Sequence, residues 1–308
     1  MFHFRYCPEV VDLQEVLRRF TFDNICKVAF GVDPAWLASK NDDQLRSWFV
    51  RADYAVEISS DRLLSPFPVE WKIKRLLNIG NHSFQGAEMS KQRWNGARML
   101  SRFAIKVCAF IKRRFLRDIV ISFILAGKDS TSTALTWFFW LISGYPHCLH
   151  LIYNELAAAS PDEFPSIFSY DKLKELNYLH AALSETLLLF PPIPINSRLA
   201  MSGDILSNGM YVRKGWFADY SAYAMERMER LWRGDCREIR PERCPRMCLD
   251  KEMAYVQMKS IAAAIMYEFE VVAVDGGGCP YTLSLLKIKG GLKHTITSSF
   301  IAPIQDTA

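Results

Sequence analysis

The apolar run Ile119–Ile142 constrains this chain most. It is long enough to cross a bilayer, yet Gly127-Lys128-Asp129-Ser130-Thr131-Ser132-Thr133 interrupts it. Two charges and four hydroxyls are costly in hydrocarbon, so a buried helix, Phe115–Tyr145, with a polar interruption is expected instead. Gly127 costs roughly 1 kcal/mol against Ala inside a helix, and Ser and Thr compete for backbone bonds. A core helix tolerates this where it opens locally or where something sits against its backbone. An acid beside a hydroxyl in an apolar wall can relay protons to a buried acceptor. The alternative is a helix N-terminus capped by Asp129 or Ser130, followed by Ala134–Ile142.

The rest of the chain reads as mostly helical. Asp12–Phe30 carries apolar residues at helical spacing and stops at Gly31-Val32-Asp33-Pro34. Helices are expected at Asp42–Glu57, His147–Ser160, Leu173–Phe190 and Cys248–Phe269. Ile205–Val212 reads as a hairpin, with Asn208-Gly209 supplying positive φ angles, and Tyr281–Thr297 as a terminal hairpin around Gly290-Gly291. The fold class is mainly α with a minor β portion. With 308 residues, half of them apolar, and a net charge of +5, the chain has ample core and is neither disordered nor strongly basic.

Ser90–Arg117 holds nine Lys/Arg and no acid. It reads as a solvated helix face, or as a surface that docks on a partner or membrane. No nucleic-acid module accompanies it, so no nucleic-acid partner is expected. The N-terminus has no charged region followed by an apolar run, so it does not read as a signal peptide. The eight cysteines are scattered without a Cys-x-x-Cys pair, which argues for reduced thiols and against a zinc site.

Two further constellations carry chemistry. Cys248 heads a helix beside Arg246, where the positive helix end and the arginine favour the metal-binding thiolate; the alternative is an ordinary buried cysteine. Glu185 is a lone acid in the apolar stretch Leu183–Pro192, and a buried carboxylate there needs a partner such as Arg243; the alternative is an exposed glutamate.

In this order and spacing the pieces resemble the cytochrome P-450 haem-thiolate monooxygenases. Ala126–Thr131 resembles the oxygen-activating groove of the family's long central helix. Glu185 with Phe190-Pro191-Pro192 resembles its Glu-x-x-Arg helix, Pro241-Glu242-Arg243 its Pro-Glu-Arg turn, and Arg246-x-Cys248 its cysteine loop. Arg19–Pro34, Glu57–Ser60, Phe115–Gly127 and Tyr220–Met225 are similar to the plant fatty-acid ω-hydroxylase group, which includes jasmonate-conjugate hydroxylases.

The resemblance implies a partial P-450 fold with a long central helix, a C-terminal cysteine-loop helix and small hairpins. It implies haem as cofactor, with Cys248 the axial ligand of the iron and Arg246 pairing with a propionate. Asp129 and Ser130 would be the acid–alcohol pair that delivers protons, and Glu185 and Arg243 a structural charge network. Phe123, Ala126, Ile193 and Pro194 would line the substrate pocket. The implied reaction is hydroxylation of fatty acids or oxylipin conjugates at or near the terminal carbon, with dioxygen and electrons from NADPH through a reductase. The implied location is the cytosolic face of the endoplasmic reticulum membrane.

The sequence departs from the family pattern in four places. Leu188 stands where Glu-x-x-Arg has its arginine. Asp250 replaces a glycine, and the stretch before Cys248 lacks the family's meander and its Phe-x-x-Gly. Residues 1–308 read as one incomplete domain without the anchor, the N-terminal sheet or the Trp-x-x-x-Arg helix; without the anchor, a soluble, cytoplasmic location is the alternative. Ser90–Arg117 joins abruptly to Phe115-Leu116-Arg117-Asp118, as though a segment were deleted. A truncated, internally deleted copy with impaired activity is expected. The alternatives are a non-catalytic degenerate fragment and a basic partner- or membrane-binding protein.

Overall fold

A computed structural model describes residues 9–31, 33–38, 113–159, 168–232, 234, 238, 239, 241, 251–273, 280–282, 286–288 and 292–298. Two compact units are distinguished, Met1–Leu17 with Ser130–Ala308, and Arg18–Asp129.

Strand β1 (Glu9–Asp12) leads into helix α1 (Leu13–Phe30). Asp12 caps the helix: its Oδ1 accepts from the backbone N–H groups of Gln14 at 3.1 Å and Glu15 at 3.4 Å, and from that of Leu292 at 3.1 Å. Gly31 ends it in the left-handed region (φ 64°), its N–H donating to the Lys27 carbonyl at 2.9 Å. The expected boundaries hold at both ends.

Helix α2 (Arg113–Ser143) runs unbroken through the polar stretch, as the single long helix expected there, and the alternative of a new helix start at Asp129 or Ser130 does not occur. Thr136 Oγ1 donates to the Ser132 carbonyl and Ser143 Oγ to the Phe139 carbonyl, both at 2.7 Å. Leu135, Trp137, Phe138 and Phe139 are wholly buried.

Helix α3 (Pro146–Ala159) follows. The single helix expected over Leu173–Phe190 is two: α4 (Tyr170–Glu175) and α5 (Asn177–Leu189), divided at Leu176. Strands β2 (Ile195–Leu199) and β5 (Phe217–Ser221) pair antiparallel, and between them β3 (Asp204–Ile205) and β4 (Tyr211–Val212) form the expected hairpin. Gly209 alone takes a positive φ in that turn, at 82°; Asn208 instead accepts from the Met210 N–H through Oδ1 at 3.0 Å.

After the short helices α6 (Ala222–Met225) and α7 (Glu229–Trp232), helix α8 (Lys251–Glu268) packs on α3, α4 and α5. It continues into β6 (Phe269–Ala273). The tail is not one hairpin: β7 (Pro280–Thr282) pairs with β8 (Leu286–Ile288), while β9 (Lys293–Ser298) lies between β1 and β6. Glu9 stands opposite Ile296 and Val271 opposite the same residue on the other side. Among the described residues, no helix is long and apolar enough to cross a membrane.

Candidate functional site

Helix α2 carries the acid and the alcohol. Asp129 is buried at 4% exposure beside Lys128 at 2%, and Lys128 Nζ lies 3.0 Å from Asp129 Oδ1. The charges that made this stretch unfit for hydrocarbon thus face each other inside the protein. The Lys128 carbonyl also accepts from Thr21 Oγ1 at 3.0 Å. Ala126 is exposed and Ser130, one turn on, is half-buried, whereas every residue from Thr131 to Phe139 is buried. Ala126 and Ser130 present a methyl and a hydroxymethyl on this side of α2. Of Phe123, the helical backbone is described and the side chain is not.

At Gly127 a side chain does sit against the helix backbone. A β-carbon there would stand 2.6 Å from Ile25 Cδ1 of α1, so the bare Cα admits Ile25.

On α5, Glu185 is buried at 2% exposure, which excludes the outward-facing alternative, and Leu188 is buried at 3%. They stand one turn apart, so a purely apolar side chain occupies the place where the resemblance calls for a second donor. Arg243, the expected partner of Glu185, lies outside the described residues, as do Arg246, Cys248 and Asp250. Ile193 is exposed at 48%; Pro194 is buried, its carbonyl accepting from the Tyr223 N–H at 3.2 Å and from Ser221 Oγ at 3.4 Å.

Three arrangements had no sequence signal. Glu155 of α3 accepts from the first N–H groups of α5, Tyr178 at 2.7 Å and Leu179 at 2.8 Å, one through each carboxylate oxygen. Lys259 of α8 is buried and donates from Nζ to the Leu173 carbonyl at 2.7 Å; desolvation lowers its pKa, opposed by the charges of Glu155 and Glu252. Phe190, which ends α5, stacks on Trp137 of α2 at 4.2 Å and 6°, with Arg227 5.3 Å from its ring centre. Each joins residues far apart in the chain, and an invariant pattern in one sequence is not observable.

The small side chains of Ala126, exposed, and Ser130, half-buried, would not obstruct a flat, largely apolar group such as haem beside α2. Cys248 and Arg246, expected to hold that group, lie outside the described residues. Among the described residues no cluster of three or more His, Cys, Asp or Glu side chains could hold a metal ion.

Comparison with known proteins agrees with this geometry. Residues 111–243 match the cytochrome P450 family model. Cytochrome P450 94A1 of Vicia sativa is 40% identical over 85% of this chain and 58% of its own length. Cytochrome P450 CYP94D108 of Paris polyphylla is 37% identical over 96% of this chain and 67% of its own, and cytochrome P450 94C1 of Arabidopsis thaliana 36% over 96% and 66%. The chain therefore spans about three fifths to two thirds of these relatives. A crystal structure of a cytochrome P450, CYP102L1, superposes with a TM-score of 0.72 over 94% of this chain and 72% of that one; at 20% identity it bears on fold alone. The chain belongs to the cytochrome P450 family.

Proposed function

We propose that this chain derives from a haem-dependent monooxygenase that hydroxylates fatty acids or oxylipin conjugates at or near the terminal carbon, and that it retains that activity weakly. The similarity to plant relatives along 85–96% of its length carries this reading. The small-residue face at Ala126 and Ser130 supports it. Residues 1–308 are taken as parts of one incomplete P450 domain, and the family-model match runs across the boundary between the two units.

When bound, haem supplies the one-electron and oxygen chemistry that no side chain offers. The protein's part is to hold the ring, exclude water and manage protons. Cys248 would hold the iron and Arg246 a propionate. Asp129, beside the Lys128 ammonium, and Ser130 would be the acid–alcohol pair that delivers protons. Phe123, Ala126, Ile193 and Pro194 would present apolar surface to an alkyl chain. Electrons would come from NADPH through a reductase, at the cytosolic face of the endoplasmic reticulum.

A second reading, a non-catalytic remnant, is favoured by Leu188. A buried acid network missing one donor typically loses about 3–5 kcal/mol, comparable with the stability of many domains. The ferrous–carbon monoxide difference spectrum of the haem-supplemented chain separates the two. A strongly red-shifted Soret band, with slow ω-hydroxylation when a reductase is added, supports the first. A soluble, helical sample without that band overturns it.

A further inference from the structure

Helices α5 and α8 are joined by a directed pair of hydroxyl bonds. Ser184 Oγ donates to the His180 carbonyl one turn earlier at 2.8 Å, which leaves its lone pairs for Tyr255 Oη, also at 2.8 Å. Both hydroxyls are buried, Ser184 at 5% and Tyr255 at 7% exposure, so the bond forms in a low dielectric and has no water to replace it. The His180 ring lies on the Tyr255 ring at 4.2 Å and 31°, fixing the phenol from a second side. His180, Ser184 and Leu188 form one stripe along α5, at intervals of one turn. Ser184 adjoins Glu185 in the chain, and Tyr255 stands one turn into α8, the helix that follows Cys248.

We propose that the Tyr255–Ser184–His180 chain is a positioning device: it sets the start of α8 against α5, and so the direction in which the segment carrying Cys248 leaves the helix. The Ser184–Tyr255 hydroxyl bond gives the α5–α8 seam a directional contact. The part concerning Cys248 rests on the haem reading; the coupling of the two helices does not.

The test uses the full chain and the variants Tyr255→Phe, Ser184→Ala and their double mutant. Thr186→Val is the control, since Thr186 Oγ1 makes a buried bond of equal length to the Ala182 carbonyl within α5 alone. Hydrogen exchange is followed at the amides of Tyr255–Met258, which close the first turn of α8. Each cross-tie variant is expected to speed that exchange about fivefold, the double no more than either single, and the control to leave it unchanged. In the haem-supplemented chain the same variants are expected to move intensity from the thiolate-type to the thiol-type carbon monoxide band. Unchanged exchange, or an equal effect in the control, overturns the device. Faster exchange with an unaltered band ratio overturns the role toward Cys248. Faster exchange with no thiolate band even in the parent chain supports the helix coupling and overturns the haem reading instead.

Discussion

Ile25 lies directly over the bare Cα of Gly127: a β-carbon there would come within 2.6 Å of Ile25 Cδ1, 2.7 Å of Cγ1 and 3.3 Å of Cβ. Two opposed effects meet at this point. Alanine is the better helix former by about 1 kcal/mol, while overpacking a filled interface costs about 1–3 kcal/mol. The Cδ1 end can rotate away but the Cβ cannot, so packing wins. Gly127→Ala is therefore expected to lower stability by about 1–2 kcal/mol in urea unfolding. Ile25→Val removes the nearest atom, so in that background the alanine should cost less. Additive losses in the double mutant would show that the contact is not what fixes glycine at 127.

The division at Leu176 makes a second prediction. Leu176 has no side chain to cap α5, and the carboxylate of Glu155 does so from another helix, accepting two backbone N–H groups at once. Removing it leaves two donors at a partly buried helix end. Glu155→Ala is expected to cost about 1–2 kcal/mol, and Glu155→Gln, which keeps one acceptor, about half of that. Equal losses from the two variants would mean that packing of the side chain, not capping, is what matters.

These two sites show what a sequence can and cannot display. The ends of α1 were legible because Asp12 and Gly31 act within one turn of the helix they bound. The length and continuity of α2 were legible from its apolar run, but the pairing of Lys128 with Asp129 that accommodates its charges was not. The division between α4 and α5 is invisible locally, because the capping carboxylate lies more than twenty residues away. The tail was misread for the same reason. β9 takes its partners from β1, near the other end of the chain, and from β6, and alternation in a strand says nothing about which strand it will meet. The sequence pattern singled out Asp129 and Glu185, both of which are buried, but not the Lys128 ammonium beside Asp129.

Cys26 gives a prediction about reactivity. Burial pushes its thiol up to about 12, and the nearby Asp23 charge adds to the shift. Thiolate is the reactive form, so raising the pKa from 9.0 to about 12 lowers the thiolate fraction at pH 8 about a thousandfold. Cys26 is expected to resist maleimide in the native chain and to react at the rate of a free thiol in urea. Labelling of Cys26 in the native chain within minutes, read by peptide mass, would contradict its burial.

Lys259 gives the stability of the chain a pH dependence of known sign. Desolvation holds its folded-state pKa below the ordinary 10.5, with Glu155 and Glu252 opposing the shift. As pH rises through that lowered value the folded chain releases the proton first, while the unfolded chain still holds it. The unfolded state then binds more protons, so this group makes stability increase with pH up to about 10.5. Lys259→Met removes the titration together with the hydrogen bond to the Leu173 carbonyl. Urea midpoints for parent and variant should therefore diverge between neutral pH and pH 10, the parent gaining on the variant as the solution becomes more alkaline. Parallel profiles would show that the ammonium costs nothing to bury. A variant that gains on the parent would reverse the sign, placing the attraction of Glu155 and Glu252 above the desolvation penalty.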